Sequence, residues 1–529
     1  MHERIKYRLD ETLGIQSVLE KPKEKKFGHF ALPTFAWAKE WKKNPNQIAQ
    51  EFASKLKDLS EISSVSVVGG YVNFSLSNQF LEQIAQEFAS NIANPKPQKQ
   101  ESILLEYVSA NPTGPLHIGH ARGAIFGDVL ARIGRYLGYP ITTEYYINDA
   151  GVQIENLGCS IYFAIRQLLF NEANEFPEGC YRGEYIFELA KDALKTLGEE
   201  FFKNTSKAQQ ISTLSLFGKD KMLQEIQSNL AKIGINFDNY VSEKELFVRW
   251  ENVLEVLKSH QGVYESEGKI WLKSSQYGDE KDRVIVRENG EPTYLAGDII
   301  YHQDKFLRSF KKYINIWGAD HHGYIARVKA AIEFLGFESQ NLEVLLSQMV
   351  SLLKGGQSYK MSKRAGNFIL MKDVIDEVGA DALRLVFLSK KADTHLEFDI
   401  EVLNKQDSSN PVYYIHYAHA RIHTLFSKSC YDFESVKEVS LEGLSEILRD
   451  LLVLALSLPK VLEDAFTQRA PQKVVEYLRL LSSEFHHFYN EQKILNTKEE
   501  AQILRVLFIV AKSLECGLGL LGVRAKTSM

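Results

Sequence analysis

The sequence predicts an α/β chain: a doubly wound parallel sheet with a helical insertion, preceded by a small α+β domain and followed by an α-helical bundle. Three observations carry this reading. A short apolar run, Ile103-Leu104-Leu105-Glu106-Tyr107-Val108, leads through a glycine-containing turn into a segment with Ile125, Val129, Ile133 and Leu137 at spacing four, the strand–turn–helix order of a first βα unit. Strand-like runs return at Val284-Ile285-Val286 and Ile314-Asn315-Ile316-Trp317, after a mostly helical, charged stretch over about 155–277. Beyond about Glu401 the periodicity is helical with few strand signals.

In chain order, residues 1–93 read as mixed α+β. Helical spacing over Asn46 to Leu59 is followed by Ser64 to Val68 and Tyr71 to Ser77 around Gly69-Gly70, and Val72, Phe74 and Leu76 alternate with Asn73 and Ser75 as in a half-buried strand. The proline-rich, polar run 94–100 has linker composition. Residues 101–400 carry the doubly wound, Rossmann-like sheet, with the insertion separating its two halves; Gly138 and Pro140 stop the first helix. Residues 401–529 form the bundle, with helical runs at Ile447 to Ala465, Val474 to Tyr489 and Ala501 to Leu520.

With 529 residues, 44% hydrophobic and 25% charged, the chain is globular and long enough for about three domains, since single cores rarely grow beyond ~250 residues. Its net charge of −5 argues against bulk electrostatic attraction to nucleic acid, although RNA loops can be held by stacking and base-edge hydrogen bonds. The start, Met1-His2-Glu3-Arg4-Ile5-Lys6, is charged where a secretory signal needs an apolar core, and the apolar stretch Leu507 to Val523 is broken by Lys512 and Glu515. Cys159, Cys180, Cys430 and Cys516 form no CxxC pair. The expectation is a cytoplasmic, reduced protein with no membrane partner.

Two runs carry chemistry. In Ser109-Ala110-Asn111-Pro112-Thr113-Gly114-Pro115-Leu116-His117-Ile118-Gly119-His120, the histidines stand three apart where a turn becomes a helix, beside backbone N–H groups that attract phosphate. Gly119 lets a flat ring approach without a Cβ in the way. An isolated HxxH is more often a pair of helix-capping histidines; its surroundings reverse that preference. Far along the chain, Lys360-Met361-Ser362-Lys363, between Gly355-Gly356 and Gly366, supplies two loop cations suited to a triphosphate. Glu106 and Asp298 offer carboxylates that match the planar donor fork of a guanidinium, whereas each alone would also fit a structural salt bridge or cap.

Together the two runs resemble the HIGH and KMSK signatures of class I aminoacyl-tRNA synthetases. The segments Ser109 to Arg122, Tyr146 to Gly151, Trp317 to Gly323, Lys360 to Asn367 and Asn410 to Arg421 resemble the arginyl-tRNA synthetase family, as does Asp381-Ala382-Leu383-Arg384, the tetrapeptide that names that family's helical anticodon-binding domain. The segment from Phe27-Gly28-His29-Phe30-Ala31 onward is similar to the family's domain that contacts the tRNA elbow.

The resemblance implies an arginine–tRNA ligase that uses ATP, accompanied by magnesium, and arginine tRNA, with adenylate forming efficiently only when tRNA is bound. It implies that Glu106, Tyr294 and Asp298 hold the guanidinium, that Asn111 holds the backbone end of arginine and that His322 borders the site. His117, His120, Lys360 and Lys363 would serve ATP; Tyr414, Tyr417 and Met529 would meet the anticodon loop. Arg364 replaces the serine that follows the second signature in many class I enzymes. The rivals are another class I synthetase, glutamyl or cysteinyl, and a catalytically silent tRNA-binding paralogue. A monomer without a tightly bound metal is expected: His321-His322 and His486-His487 lack ligand partners at zinc spacing. Gly517 to Gly522 satisfies GxGxxG but leaves no room for the helix such a turn must open.

Overall fold

The computed structural model describes residues 1–173, 175–359, 369–407 and 409–529. Two compact units are present, Lys96–Asn404 and, together, Met1–Pro95 with Lys405–Met529.

In the unit Lys96–Asn404, five parallel strands lie in the order Leu342–Ser347, Lys312–Gly318, Ile103–Glu106, Ile141–Ile147, Asn239–Ser242. The chain starts at the middle strand, winds outward to Asn239–Ser242 and returns on the opposite flank at Lys312–Gly318. Winding therefore reverses beside Ile103–Glu106, and ligands bind in the crevice that such a reversal opens at the carboxyl ends of the strands. Ile103, Leu104 and Leu105 are buried, as a central strand covered on both faces requires.

This strand ends at Glu106, short of the expected Val108, because Val108 (φ 71°) and Ser109 (φ 41°) turn into the left-handed region. For non-glycine residues that conformation costs roughly 1–3 kcal/mol each, the more so for β-branched valine, so surrounding contacts must hold it. The following helix, Ile118–Tyr136, begins inside the histidine motif with His117 as its N-cap. A Cβ on Gly127 would stand 2.4 Å from the Tyr107 ring, so this glycine lets the helix lie close on the strand.

The stretch 155–277 is helical through Lys232. Helices Val152–Phe170, Glu184–Leu197, Glu199–Asn204 and Lys207–Lys232 share an apolar core around Leu157, Ile161, Ile186, Leu214 and Met222. Its later part adds strands to the mostly helical expectation. Asn239–Ser242 is the outermost strand of the main sheet, and Val263–Ser266 and Lys269–Leu272 pair antiparallel with Arg283–Val286 in a separate sheet. These strands span four residues each and are rich in polar side chains, too short for a period-2 pattern to emerge.

In the second unit, Tyr71–Leu76 lies between Phe30–Pro33 and Ile62–Val68 in an antiparallel sheet, with helices including Pro45–Leu56. The bundle comprises Pro411–Lys428, Glu446–Ala455, Leu458–Thr467, Gln472–Glu491 and Glu500–Leu520. The run expected as one helix from Ile447 to Ala465 is two, because Pro459 lacks the N–H that continuation needs and sits in the first turn of the second helix. Buried Arg505 joins the two segments of this unit, donating from Nη1 to Oε1 of Glu82 at 3.1 Å and to the Val439 carbonyl.

Asp381 to Arg384 lies outside the bundle, in helix Ala380–Phe387 of the unit Lys96–Asn404. There Arg384, fully buried, donates to the Asp128 carboxylate and, at 2.7 Å, to the Ile233 carbonyl, a structural duty. Among the described residues no helix is long and apolar enough to cross a membrane.

Candidate active site

The crevice beside Ile103–Glu106 collects polar groups that a sheet interior would otherwise exclude. Across the strand ends, Asn315, Glu106 and Glu144 are neighbours in register and all buried. Such groups must be paired to be tolerated. Glu144 accepts from Tyr301 Oη at 2.9 Å and from Arg308 Nη2 at 2.9 Å, which holds its carboxyl below the usual range against the opposing effect of burial.

Both oxygens of Glu106 are engaged. Lys305 Nζ donates to Oε2 at 2.7 Å and Ser109 Oγ donates to Oε1 at 2.8 Å. Lys305 is fully buried and also donates to Oδ1 of Asn315 at 2.8 Å, with its ammonium 4.3 Å from the centroid of Tyr301. The expectation that Glu106 itself grips a guanidinium thus meets a carboxylate that already has an internal cation, which the sequence reading had not connected to it.

Asp298 and Glu243 differ in this respect. Asp298 sits in the helix Tyr294–Leu307 and accepts from the Tyr324 hydroxyl; burial raises its carboxyl to about 6 despite that bond. Glu243 opens a short helix, Glu243–Leu246, at the carboxyl end of the outermost strand. It is 4% exposed, and its Oε2 has no partner among the described residues. Burial, then the nearby charges of Asp298 and Asp149, raise its carboxyl to about 8. The charge of Asp298 acts on Glu243, and that of Glu106 acts on Asp298, so acids crowd this end of the sheet. An arriving cation with several donors would satisfy both Glu243 and Asp298.

Glu243 was missed by the sequence reading. Its local pattern, Ser242-Glu243-Lys244-Glu245, is that of a solvated helix start, and Ser242 does cap it by accepting from Glu245 N. A usable signal lay upstream, in Asp149 of Tyr146-Ile147-Asn148-Asp149. Its carboxylate accepts from Ser242 Oγ at 2.9 Å and from Lys244 N at 3.1 Å, fixing the backbone on both sides of Glu243.

Of the other expected residues, Tyr294 is half exposed, one helical turn before Asp298 and on the same face. Asn111 Nδ2 donates to Gln153 Oε1 at 2.6 Å. His322 is exposed on the 3₁₀ turn Ala319–Tyr324, directly beyond strand Lys312–Gly318.

His117 and His120 face one another with ring centroids 3.6 Å apart, and His120 Nδ1 accepts from His117 N at 3.3 Å. Burial lowers both pKa values, that of His120 to about 3 with a further contribution from His117, so both are neutral N–H donors near pH 7. The turn is braced from three sides. Tyr145 Oη donates to Ala110 O at 2.7 Å, Tyr185 Oη to Thr113 O at 3.1 Å, and Ile118 N and Met371 N pair with Ile369 O and Leu116 O at 2.9 Å each. Ala110, Pro112, Thr113, Gly114, Pro115 and Leu116 therefore form a fixed approach to the helix. Lys360, Met361, Ser362 and Lys363, with Arg364, lie outside the described residues.

In the other unit, Tyr413 and Tyr417 stack with centroids 5.7 Å apart, and Tyr414 and Tyr417 flank the ring of His486. The guanidinium of Arg421 lies over Tyr417 and Tyr489. Met529 is exposed.

Comparison with known proteins finds relatives along the whole chain. Residues 1–76 match the family described as arginyl tRNA synthetase N terminal domain, 81–423 that of class I (R) tRNA synthetase catalytic domains, and 415–529 the DALR anticodon binding domain. The chain is similar to an arginine–tRNA ligase of Wolinella succinogenes, 62% identical over 531 residues and all of both chains. A solved chain from Campylobacter jejuni, 55% identical, superposes with a TM-score of 0.83, covering 86% of this chain and all of that one. The arginyl-tRNA synthetase of Thermus thermophilus, 21% identical, shares the fold over the full length of both chains at a TM-score of 0.79.

Proposed function

The chain belongs to the arginyl-tRNA synthetases, ligases that use ATP to join arginine to its tRNA, and we propose that it does so by seating the guanidinium between Glu243 and Asp298. The observation that carries this assignment is the pair of buried, raised carboxyls, neither in an ion pair among the described residues, beside a Glu106 that has one. A guanidinium can donate to both in a planar fork, whereas lysine would leave acceptors unpaired, a defect that rejects a near-analogue strongly. Tyr294 covers the pocket, Asn111 orients the backbone end of arginine, His322 borders the adenosine side and Glu106 acts from beneath.

Chemistry follows from alignment. The arginine carboxylate attacks the α-phosphorus of ATP, forming the mixed anhydride while pyrophosphate leaves; a ribose hydroxyl at the tRNA terminus then attacks the arginyl carbonyl and AMP leaves. His117 and His120, neutral and beside the helix N-terminus, donate to phosphate oxygens as charge moves onto them. Lys360 and Lys363 supply the cations for the departing pyrophosphate. ATP enters as its magnesium complex, with no separate protein-bound metal. Tyr414, Tyr417 and Met529 meet the anticodon loop, supported by the half-buried aromatic–arginine stack around Tyr417, and the N-terminal segment meets the tRNA elbow. The working form is a cytoplasmic monomer.

Purified protein given arginine, ATP and tRNA is expected to charge the tRNA and release AMP; preference for another amino acid would overturn the pocket assignment. Pyrophosphate exchange measured with and without tRNA tests whether adenylation waits for tRNA, and equal rates would reject that.

A further inference from the structure

We propose that Lys305 is a positioning residue that couples the arginine pocket to the nucleotide-binding turn, acting through Glu106 and Ser109. The proposal rests on the reading of Asp298 as a guanidinium partner and deepens it.

One continuous hydrogen-bonded path connects the two half-sites. From Lys305 in one direction, its ammonium donates to Asn315 Oδ1 at 2.8 Å, Asn315 Nδ2 donates to His302 Nε2 at 3.1 Å, and His302 Nδ1 donates to the Asp298 carbonyl at 2.7 Å. Burial keeps His302 neutral, which suits a ring that accepts at one nitrogen and donates at the other. In the other direction, Lys305 donates to Glu106 Oε2, Glu106 Oε1 accepts from Ser109 Oγ, and Ser109 Oγ accepts from Tyr146 N at 3.1 Å. Ser109 is one of the two left-handed residues from which the run Ala110 to His120 departs.

Each member has a reason to be where it is. The Val108–Ser109 turn is unfavourable for these residue types and needs an outside contact; the Ser109 hydroxyl supplies one to each side. That hydroxyl needs Glu106 turned toward it as an acceptor, and a side chain buried as Glu106 is held in place by a partner cation. Lys305, fully buried on the helix that carries Asp298, is that cation. A shift of the Asp298 helix on arginine binding is thereby felt at the strained turn before His117.

The test uses the full-length protein with tRNA, varying arginine and ATP separately. Ser109→Ala removes the link without changing charge. It is expected to leave the melting temperature within a few degrees, yet to raise the KM for both arginine and ATP or lower kcat by about fivefold, the weight of one hydrogen bond. Lys305→Met is expected to lower kcat/KM for both substrates by about a hundredfold, as a misplacement near 1 Å would. The double variant Glu106→Gln/Lys305→Met, which removes both charges and keeps an acceptor for Ser109, should recover much of that loss. Should Lys305→Met fail to fold, Ser109→Ala still decides. The proposal is overturned if Ser109→Ala changes neither substrate's kinetics, or if it and Glu106→Gln affect arginine alone, which would make Glu106 a direct guanidinium partner. Failure of the wild-type protein to charge tRNA with arginine would instead overturn the pocket assignment.

Discussion

A Cβ placed on Gly297 would stand 2.1 Å from Oε1 of Glu243. The helix bearing Asp298 thus reserves, one residue earlier, the space that the Glu243 carboxylate fills. An alanine in an exposed helix interior is ordinarily favoured over glycine by about 1 kcal/mol. Here Gly297→Ala is expected to preserve the fold and push Glu243 aside, raising the arginine KM at least about tenfold while the ATP KM stays within twofold, by steady-state aminoacylation. An unchanged arginine KM would remove Glu243 from the pocket.

The two raised carboxyls make arginine binding pH-dependent. Glu243 (about 8) and Asp298 (about 6) must lose protons to pair fully with a guanidinium. Asp149, Tyr146 and Tyr324 face them, with Glu106 and Lys305 nearby. Arginine is therefore expected to bind more weakly as pH falls from 8 to 6, with net proton release near pH 7. Calorimetry in buffers of different ionisation enthalpy reads that release directly, and its absence would contradict the assignment.

His120→Ala should lower kcat by about a hundredfold, the scale of losing one donor to developing charge, with little change in arginine KM. Because burial lowers both imidazoles from their ordinary 6.5, their contribution should be flat from pH 7 upward; a kcat that climbed on protonation near 6.5 would argue that they act as cations.

Arg384→Met should destabilise the unit Lys96–Asn404 by roughly 1–3 kcal/mol, because it takes the donor from the Ile233 carbonyl and one guanidinium partner from buried Asp128, which keeps Arg132. Hydrogen exchange is expected to show the loss in that unit; a loss confined to the bundle would assign the residue elsewhere.

Sequence legibility followed the length of the local signal. The first βα unit was readable because apolar spacing, a proline–glycine turn and a stopping glycine agree within one window, and the long helices Gln472–Glu491 and Glu500–Leu520 fell close to their expected limits. Glu243 and Lys305 were not readable. Each resembles an ordinary surface charge in its own segment, and only parallel pairing of Asn239–Ser242 and Lys312–Gly318 with distant strands brings them to one crevice. In Asp381 to Arg384 the resemblance was legible, whereas the buried role of Arg384 in local packing was not, because its partners Asp128 and Ile233 lie far away in sequence.

The second unit should be acid-sensitive. His416 and His423 are lowered to about 4 by burial, and His419 is lowered as well. The folded state thus binds fewer protons than the unfolded chain, so this contribution is fully present above pH 6.5 and is lost as pH falls toward 4. Melting followed from pH 7.5 to 4.5 should show the decline, and His416→Leu should flatten it; an unchanged slope would exclude His416.

The most direct measurement is a crystal structure of the full chain with tRNA and a non-hydrolysable arginyl-adenylate analogue. The guanidinium is expected within hydrogen-bonding distance of both Glu243 and Asp298, with Lys305 still on Glu106. A guanidinium seated on Glu106, with Lys305 displaced, would contradict the account.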